Sequence, residues 1–89
     1  MIRVQREDFD AGVELDSFCR GDTEVGAVAT FLGLVRGQGG VAAMSLEHYP
    51  GMTERQLEAI EAEARRRWPL NDVLVIHRYG RLEAGDRIV

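Results

Sequence analysis

The segment YPGMTERQLEAIEAEARRRWP, residues 49–69, restricts the fold more than any other feature because it is the clearest helix pattern in the chain. An apolar stripe recurs there at helical spacing and consists of Leu57, Ile60, Ala64 and Trp68. Thr53 and Gln56 have the spacing of a capping box, and Pro69 ends the pattern. We therefore predict one amphipathic helix over about residues 53–68.

Three consecutive arginines, residues 65–67, fall in the last turn of this helix, where positive charge complements the helix dipole. Glu61 and Glu63 precede Arg65 and Arg67 by four residues, the favourable order for ion pairs on a helix surface. The net charge of −4 also differs from that of a general nucleic-acid binder, which carries a basic face. We predict a solvated helix end and no nucleic-acid partner.

Shorter patterns around the helix predict an α+β domain with a mostly antiparallel sheet. Strands are predicted at residues 2–5, 25–35, 42–49 and 72–79, a short helix at 10–19, a loop at 37–40, a turn at 80–85 and a last strand from 86. With 45% hydrophobic and 29% charged residues, the chain has the composition of a soluble globular protein. Its 89 residues predict a single domain, residues 1–89.

All eleven basic residues are arginine, so no lysine ammonium is present to act as a general acid or covalent amine. One cysteine, Cys19, cannot form an internal disulfide, which favours the cytoplasm. The first residues, MIRVQREDFD, carry charges where a signal peptide needs an apolar run, and no stretch is long enough to span a bilayer. We expect no membrane partner.

Several chemical sites can be rejected from spacing. The glycines at 33, 37, 39 and 40 lack the Gly-Lys-Ser/Thr ending of a Walker loop and the G-x-G-x-x-G spacing of a dinucleotide loop. Cys19, His48 and His77 lack metal-ligand spacing, so no metal is expected. Glu47 and His48 alternate on opposite faces of a predicted strand and make a poor acid–base pair.

Arg36 is the strongest remaining candidate because it follows an apolar strand and precedes a glycine-rich loop, in TFLGLVRGQGG. Its planar guanidinium could hold a phosphate or carboxylate there, helped by backbone N–H groups. An ordinary surface arginine fits the same pattern equally well. The residues by themselves leave both interpretations open.

Four segments together resemble the MoaE family, the large, catalytic subunit of molybdopterin synthase. They are GAVATFLGLVRG, MSLEHYPGMTERQLEAI, RRRWPL and VLVIHRYGRLEAGDRIV. The similarity runs in order from about Gly26 to Val89, whereas residues 1–25 match in pattern only. TFLGLVRG, LEHYPGM and VIHRYG-x-L-x-x-GD are its most specific pieces.

The resemblance implies an α+β fold with an α/β-hammerhead element, found as a homodimer within a heterotetramer. It also implies a MoaD-like small sulfur-carrier subunit, whose C-terminal thiocarboxylate supplies two sulfurs to cyclic pyranopterin monophosphate to give molybdopterin. The family binds this substrate partly through the positions matching Leu34, Val35 and Arg36. No cofactor is implied.

The family's catalytic lysines and its substrate-binding His-Arg pair lie C-terminal to the stretch that matches Val89. We therefore assign no catalytic residue, and His77-Arg78 matches a different, strand-located pair. The apolar ending DRIV leads us to expect the N-terminal part of a MoaE-like domain. A sulfurtransferase completed by further residues and a non-catalytic partner-binding or dimerisation module both remain open. A lysine-containing continuation would favour the first, and a genuine stop after Val89 the second.

Overall fold

Two helices and four short strands form the chain, and the computed structural model describes residues 1–39 and 42–89. The elements in chain order are β1 (Ile2–Gln5), α1 (Ala11–Cys19), β2 (Ala43–Leu46), α2 (Met52–Arg67), β3 (Val75–Arg78) and β4 (Gly80–Glu83). The predicted α+β fold class is confirmed. Neither helix has the length and apolar composition needed to cross a membrane.

The strands pair in two ways. β1 and β3 are parallel, with Ile2 opposite Val75, and α2 packs against β1. β2 and β4 are antiparallel, with Ala43 opposite Glu83. A third, shorter antiparallel ladder joins residues 33–35 to residues 85–89. The antiparallel pairing expected from the loop-separated strands therefore holds for two of these three connections.

The predicted strand at residues 25–35 is wrong for most of its length. Only Leu34 is bridged, to Arg87, and residues 25–32 make no backbone hydrogen bond with any described residue. Strand propensity reflects packing on a pleated, half-buried surface, so apolar composition without a neighbouring strand does not produce one. The loop at 37–40 is irregular over 37–39, and Gly40 lies outside the described residues.

The predicted turn at 80–85 is also wrong in part, because Gly80–Glu83 forms β4 against β2 and only residues 84–85 turn. The last strand expected from residue 86 is reduced to the bridged ladder with residues 33–35. In both places the partner strand, which the sequence does not identify, determines the backbone conformation.

Helix α2 begins one residue before the predicted start, and its cap differs from the prediction. Gly51 is the N-cap, with φ of 82°, and its N–H donates to the carboxylate of Glu54 at 2.8 Å. Thr53 lies inside the first turn, where its hydroxyl bonds the carbonyl of Tyr49 at 3.3 Å. The Thr53–Gln56 capping box is therefore wrong, since glycine reaches the left-handed conformation that starts this helix. The exposed, ion-paired end at residues 65–67 is confirmed.

Three side chains form the most buried part of the described chain. Leu82 of β4 is fully buried, Val35 of the third ladder is 4% exposed and Ile76 of β3 is 7% exposed. They come from three different strand pairings, so the core depends on all three connections at once. No charged or polar residue within residues 1–39 and 42–89 is buried to the same degree.

Ion pairing of Glu61, above all with Arg65, makes the stability of the fold depend on pH. The guanidinium of Arg65, 2.9 Å away, and to a smaller extent the ammonium of Met1 hold the pKa of Glu61 below its ordinary value of 4.5. A carboxylate whose pKa is lower in the folded state stabilises the fold at pH values above its unfolded-state pKa. This stabilisation is lost as the pH falls through the folded-state pKa. We therefore expect the free energy of unfolding to decrease from about pH 5 downward.

Urea unfolding between about pH 3 and pH 6 measures this dependence. Glu61→Gln should flatten the acid-side slope, whereas Glu58→Gln, an exposed position on the same helix, should leave it unchanged. Equal slopes for Glu61→Gln and the unsubstituted chain would contradict the assignment.

Candidate functional site

Of the three positions singled out by resemblance, Leu34 and Val35 lie on the third ladder and Arg36 directly follows it. The Val35 N–H donates to the carbonyl of Asp86 at 2.9 Å, and its own carbonyl accepts from the N–H of Gly85 at 2.8 Å. Successive strand residues face opposite sides, and accordingly Val35 is buried while Leu34 and Arg36 are exposed. The core thus holds the backbone and presents the other two side chains to solvent.

Arg36 differs from most arginines of the chain in its electrostatic surroundings. Ion pairs to carboxylates engage seven of the eleven, namely Arg3, Arg20, Arg65, Arg66, Arg67, Arg78 and Arg87. Arg36 makes no such pair with any described residue, and its guanidinium has one long hydrogen bond, 3.4 Å to Gln38 Oε1. Its charge is therefore available to an anion from solution.

The segment that pairs with these residues is anchored by a second arginine, Arg87, directly opposite Leu34. The Arg87 guanidinium donates to the carbonyl of Phe9 at 2.5 Å and to the carboxylate of Asp8 at 3.2 Å. Arg87 is thus committed to internal contacts. It holds the ladder against the loop that precedes α1.

Arg78 also makes internal contacts. Its side chain is 11% exposed. Its Nε donates to the carbonyl of Arg6 at 3.0 Å and its Nη1 to the carbonyl of Arg87 at 3.1 Å. The neighbouring His77 ring nitrogen Nδ1 lies 2.8 Å from the carbonyl of Arg78. Both side chains bond backbone groups.

The two side chains of the weak acid–base candidate have separate contacts, although the predicted strand at 42–49 ends at Leu46 and both residues follow it. The carboxylate of Glu47 accepts a hydrogen bond from the hydroxyl of Tyr49, and this bond raises the pKa of Tyr49. The His48 ring instead lies 3.3 Å from Thr53 Oγ1 and 3.5 Å from a carboxylate oxygen of Glu54.

An aromatic stack near the start of α2 was not predicted from the sequence. The His48 ring stacks on Tyr79 with centroids 4.3 Å apart, and the Arg6 guanidinium lies 4.8 Å from the centre of the same tyrosine ring. These residues come from three separated segments, so no spacing in the sequence could have indicated the contact. Across residues 1–39 and 42–89, no group of three histidine, cysteine or acidic residues could hold a metal ion.

The fold and the exposed end of the strand at Arg36 define a small α+β protein. It presents the Arg36 guanidinium to solvent next to a backbone held by the core. The family model described as MoaE protein matches residues 4–89. Molybdopterin synthase catalytic subunits from Mesorhizobium japonicum and Cereibacter sphaeroides are 48% and 52% identical over 89 residues. The chain belongs to the MoaE family, as the resemblance indicated.

Two solved structures support the same family membership. The MoaE protein from Burkholderia ambifaria matches with a TM-score of 0.89 at 52% identity, and the molybdopterin cofactor biosynthesis protein E from Burkholderia multivorans with 0.88 at 49%. Each match covers 99% of this chain and 58% of the solved one. The match to the Mesorhizobium protein covers 99% of this chain and 56% of that protein, and the Cereibacter match 99% and 61%. This chain therefore spans little more than half the length of these relatives.

Proposed function

We propose that this chain contributes to a molybdopterin synthase catalytic subunit. In this reaction sulfur passes from the C-terminal thiocarboxylate of a MoaD-like small subunit to cyclic pyranopterin monophosphate, which becomes molybdopterin. Membership of the MoaE family supports the proposal, together with the names of the relatives. The observation that carries it within this chain is the exposed Arg36, free of ion pairs with described residues on a backbone fixed by the core.

Within this proposal, the 34–36 segment forms one wall of the substrate site. Arg36 holds the anionic phosphate of the substrate through its planar guanidinium. Leu34, 51% exposed, supplies an apolar contact beside it, and the buried Val35 keeps both side chains in place. The chain has no lysine, so this wall binds and orients the substrate while proton transfer and amine chemistry belong to residues of other segments.

Arg36→Ala should weaken the binding of cyclic pyranopterin monophosphate by about tenfold or more, because a charge-assisted hydrogen bond is worth roughly 1.5–3 kcal/mol. Isothermal titration calorimetry measures this effect, and sulfur-transfer kinetics should fall in parallel. Arg81→Ala is the matched control, since Arg81 is exposed and makes no ion pair with a described residue.

Folding and binding of the small subunit should be unaffected in both variants. Unchanged substrate affinity and unchanged sulfur-transfer kinetics in Arg36→Ala would show that Arg36 is not part of the substrate site.

A non-catalytic role in partner binding or dimerisation is the second candidate, favoured by the complete lack of lysine. Incubation with the thiocarboxylated small subunit and the substrate distinguishes the two roles: molybdopterin formation supports the synthase role, and a complex without product supports the binding role.

We further propose one domain over residues 1–89, a cytoplasmic location, and a homodimer within a heterotetramer with the small subunit.

A further inference from the structure

Residues 83–86, with the sequence EAGD, form a tight turn whose two ends are bonded to each other twice. The N–H of Asp86 donates to the carbonyl of Glu83 at 2.9 Å, and the N–H of Glu83 donates to a carboxylate oxygen of Asp86 at 2.8 Å. Gly85, the third residue of the turn, has a φ of 90°, which is typical of a type II turn. Of the two bonds, only the second uses a side chain, so the Asp86 carboxylate adds a constraint that the backbone alone lacks.

The same turn holds both backbone groups of Val35. The N–H of Gly85 donates to the carbonyl of Val35 at 2.8 Å, and the N–H of Val35 donates to the carbonyl of Asp86 at 2.9 Å. Two consecutive residues thus face one residue of the partner segment, and the first of them is a glycine with positive φ. This arrangement is a β-bulge of the G1 type, a feature that occurs next to active sites and directs a side chain there. The residue that follows Val35 is Arg36.

The position of Arg36 depends on how Val35 is held. Arg36 makes no backbone hydrogen bond with any described residue, and its guanidinium has one long hydrogen bond, to Gln38. The peptide group is planar, so a hydrogen bond that fixes the carbonyl of Val35 also fixes the N and Cα atoms of Arg36. The Val35 side chain is buried in the core at the same time. The bulge and the core together therefore set the direction in which the Arg36 side chain leaves the ladder.

We propose that Asp86 is a positioning residue of the substrate site. Its carboxylate closes the turn, the turn holds the peptide group of Val35, and that peptide group carries the Cα atom of Arg36. Arg36 makes no ion pair with any described residue, Asp86 included, so the effect of Asp86 on Arg36 passes through the backbone. This inference rests on the proposed function, in which Arg36 holds the phosphate of the substrate.

Three variants separate the hydrogen bond of this carboxylate from its charge. Asp86→Ala removes both. Asp86→Asn removes the charge but keeps an oxygen that can accept the N–H of Glu83. Glu83→Gln is the matched control, because it removes a charge from the same turn, and the Glu83 side chain makes no hydrogen bond or ion pair with a described residue.

Amide hydrogen exchange without substrate tests the backbone effect. In Asp86→Ala the Val35 amide should exchange about tenfold faster or more, because a hydrogen bond to a carboxylate is charge-assisted and its loss loosens the turn. The Tyr79 amide, which donates to the carbonyl of Gln5 at 3.1 Å, should keep its exchange rate. Equal acceleration at both amides would indicate a loss of overall stability in place of a local effect and would overturn the proposal.

Calorimetry with cyclic pyranopterin monophosphate tests the consequence for binding. Asp86→Ala should lower the affinity about threefold to tenfold, because a displaced guanidinium no longer meets the phosphate. Asp86→Asn and Glu83→Gln should each change the affinity by less than about twofold. When Arg36→Ala is already present, adding Asp86→Ala should cause no further loss greater than about twofold, since the group to be positioned is then absent.

Four further results would overturn the proposal: unchanged Val35 exchange in Asp86→Ala, normal affinity in Asp86→Ala when Arg36→Ala is impaired, the same loss with and without Arg36, or equal losses in the alanine and asparagine variants. Higher affinity in both Asp86 variants would show only a repulsion between the carboxylate and the anion, and would also reject it. Unchanged affinity in Arg36→Ala alone would reject the proposed function, and this inference with it, so the two failures are distinguishable.

Discussion

Leu82→Ala is expected to lower the free energy of unfolding by about 2–5 kcal/mol, the range for a buried leucine that leaves a cavity. Leu82 is fully buried in β4 and lies opposite Met44 of β2. Its loss therefore weakens the core and the β2–β4 pairing together. In a small domain, whose total stability is of order 5–15 kcal/mol, this is a large fraction.

Urea unfolding followed by circular dichroism measures the change. Ile60→Ala removes the same number of carbons from a side chain that is 65% exposed on α2, and should cost less than about 1 kcal/mol. Equal losses at Leu82 and Ile60 would mean that β4 does not anchor the core.

Arg78→Met is expected to destabilise the fold by about 2–4 kcal/mol, since hydrogen bonds to a charged group contribute roughly 1.5–3 kcal/mol each. Its guanidinium joins the carbonyls of Arg6 and Arg87 and lies 3.6 Å from a carboxylate oxygen of Asp8. Methionine keeps much of the apolar stem but leaves these acceptors without their donor. The loop after β1 and the ladder segment at residues 85–89 should separate.

Hydrogen exchange in these two segments reports that separation, and chemical unfolding gives the energy. Arg81→Met is the control, because Arg81 is exposed and forms no ion pair with a described residue, and it should cost no more than about 0.5 kcal/mol. If Arg78→Met left stability intact but abolished substrate binding, Arg78 would belong to the binding site instead.

The elements with strong local patterns were predictable. The strand at 2–5, the helix at 10–19 and the long helix differ from the structure by at most one residue at each end. For the two helices the reason is local, because caps, helical periodicity and charge pairs determine them. The start of α2 was misplaced because Gly51 caps the helix through its backbone, aided by Glu54, and a glycine cap has no side chain to indicate it.

The candidate site was predictable only in part. The pattern of an apolar run, an arginine and glycines drew attention to Arg36, and the resemblance supplied Leu34 and Val35 as its neighbours. Neither could show that residues 85–89 hold this backbone in place. Neither could show that Arg87 bonds Asp8 and Phe9, or that Arg36 makes no ion pair with a described residue. The ladder and the Arg87 contacts join residues that are fifty or more positions apart in the chain.

The sequence by itself determined the helices, the apolar and charged faces and, through its motifs, the MoaE family. The tertiary structure decided which apolar segments became strands and which arginines form ion pairs with described carboxylates. Helix patterns are local, since each turn bonds to the next, and can be seen in a few residues. A strand needs a partner from elsewhere in the chain, so residues 80–83 pair with β2 while the more apolar residues 25–32 make no backbone hydrogen bond with any described residue.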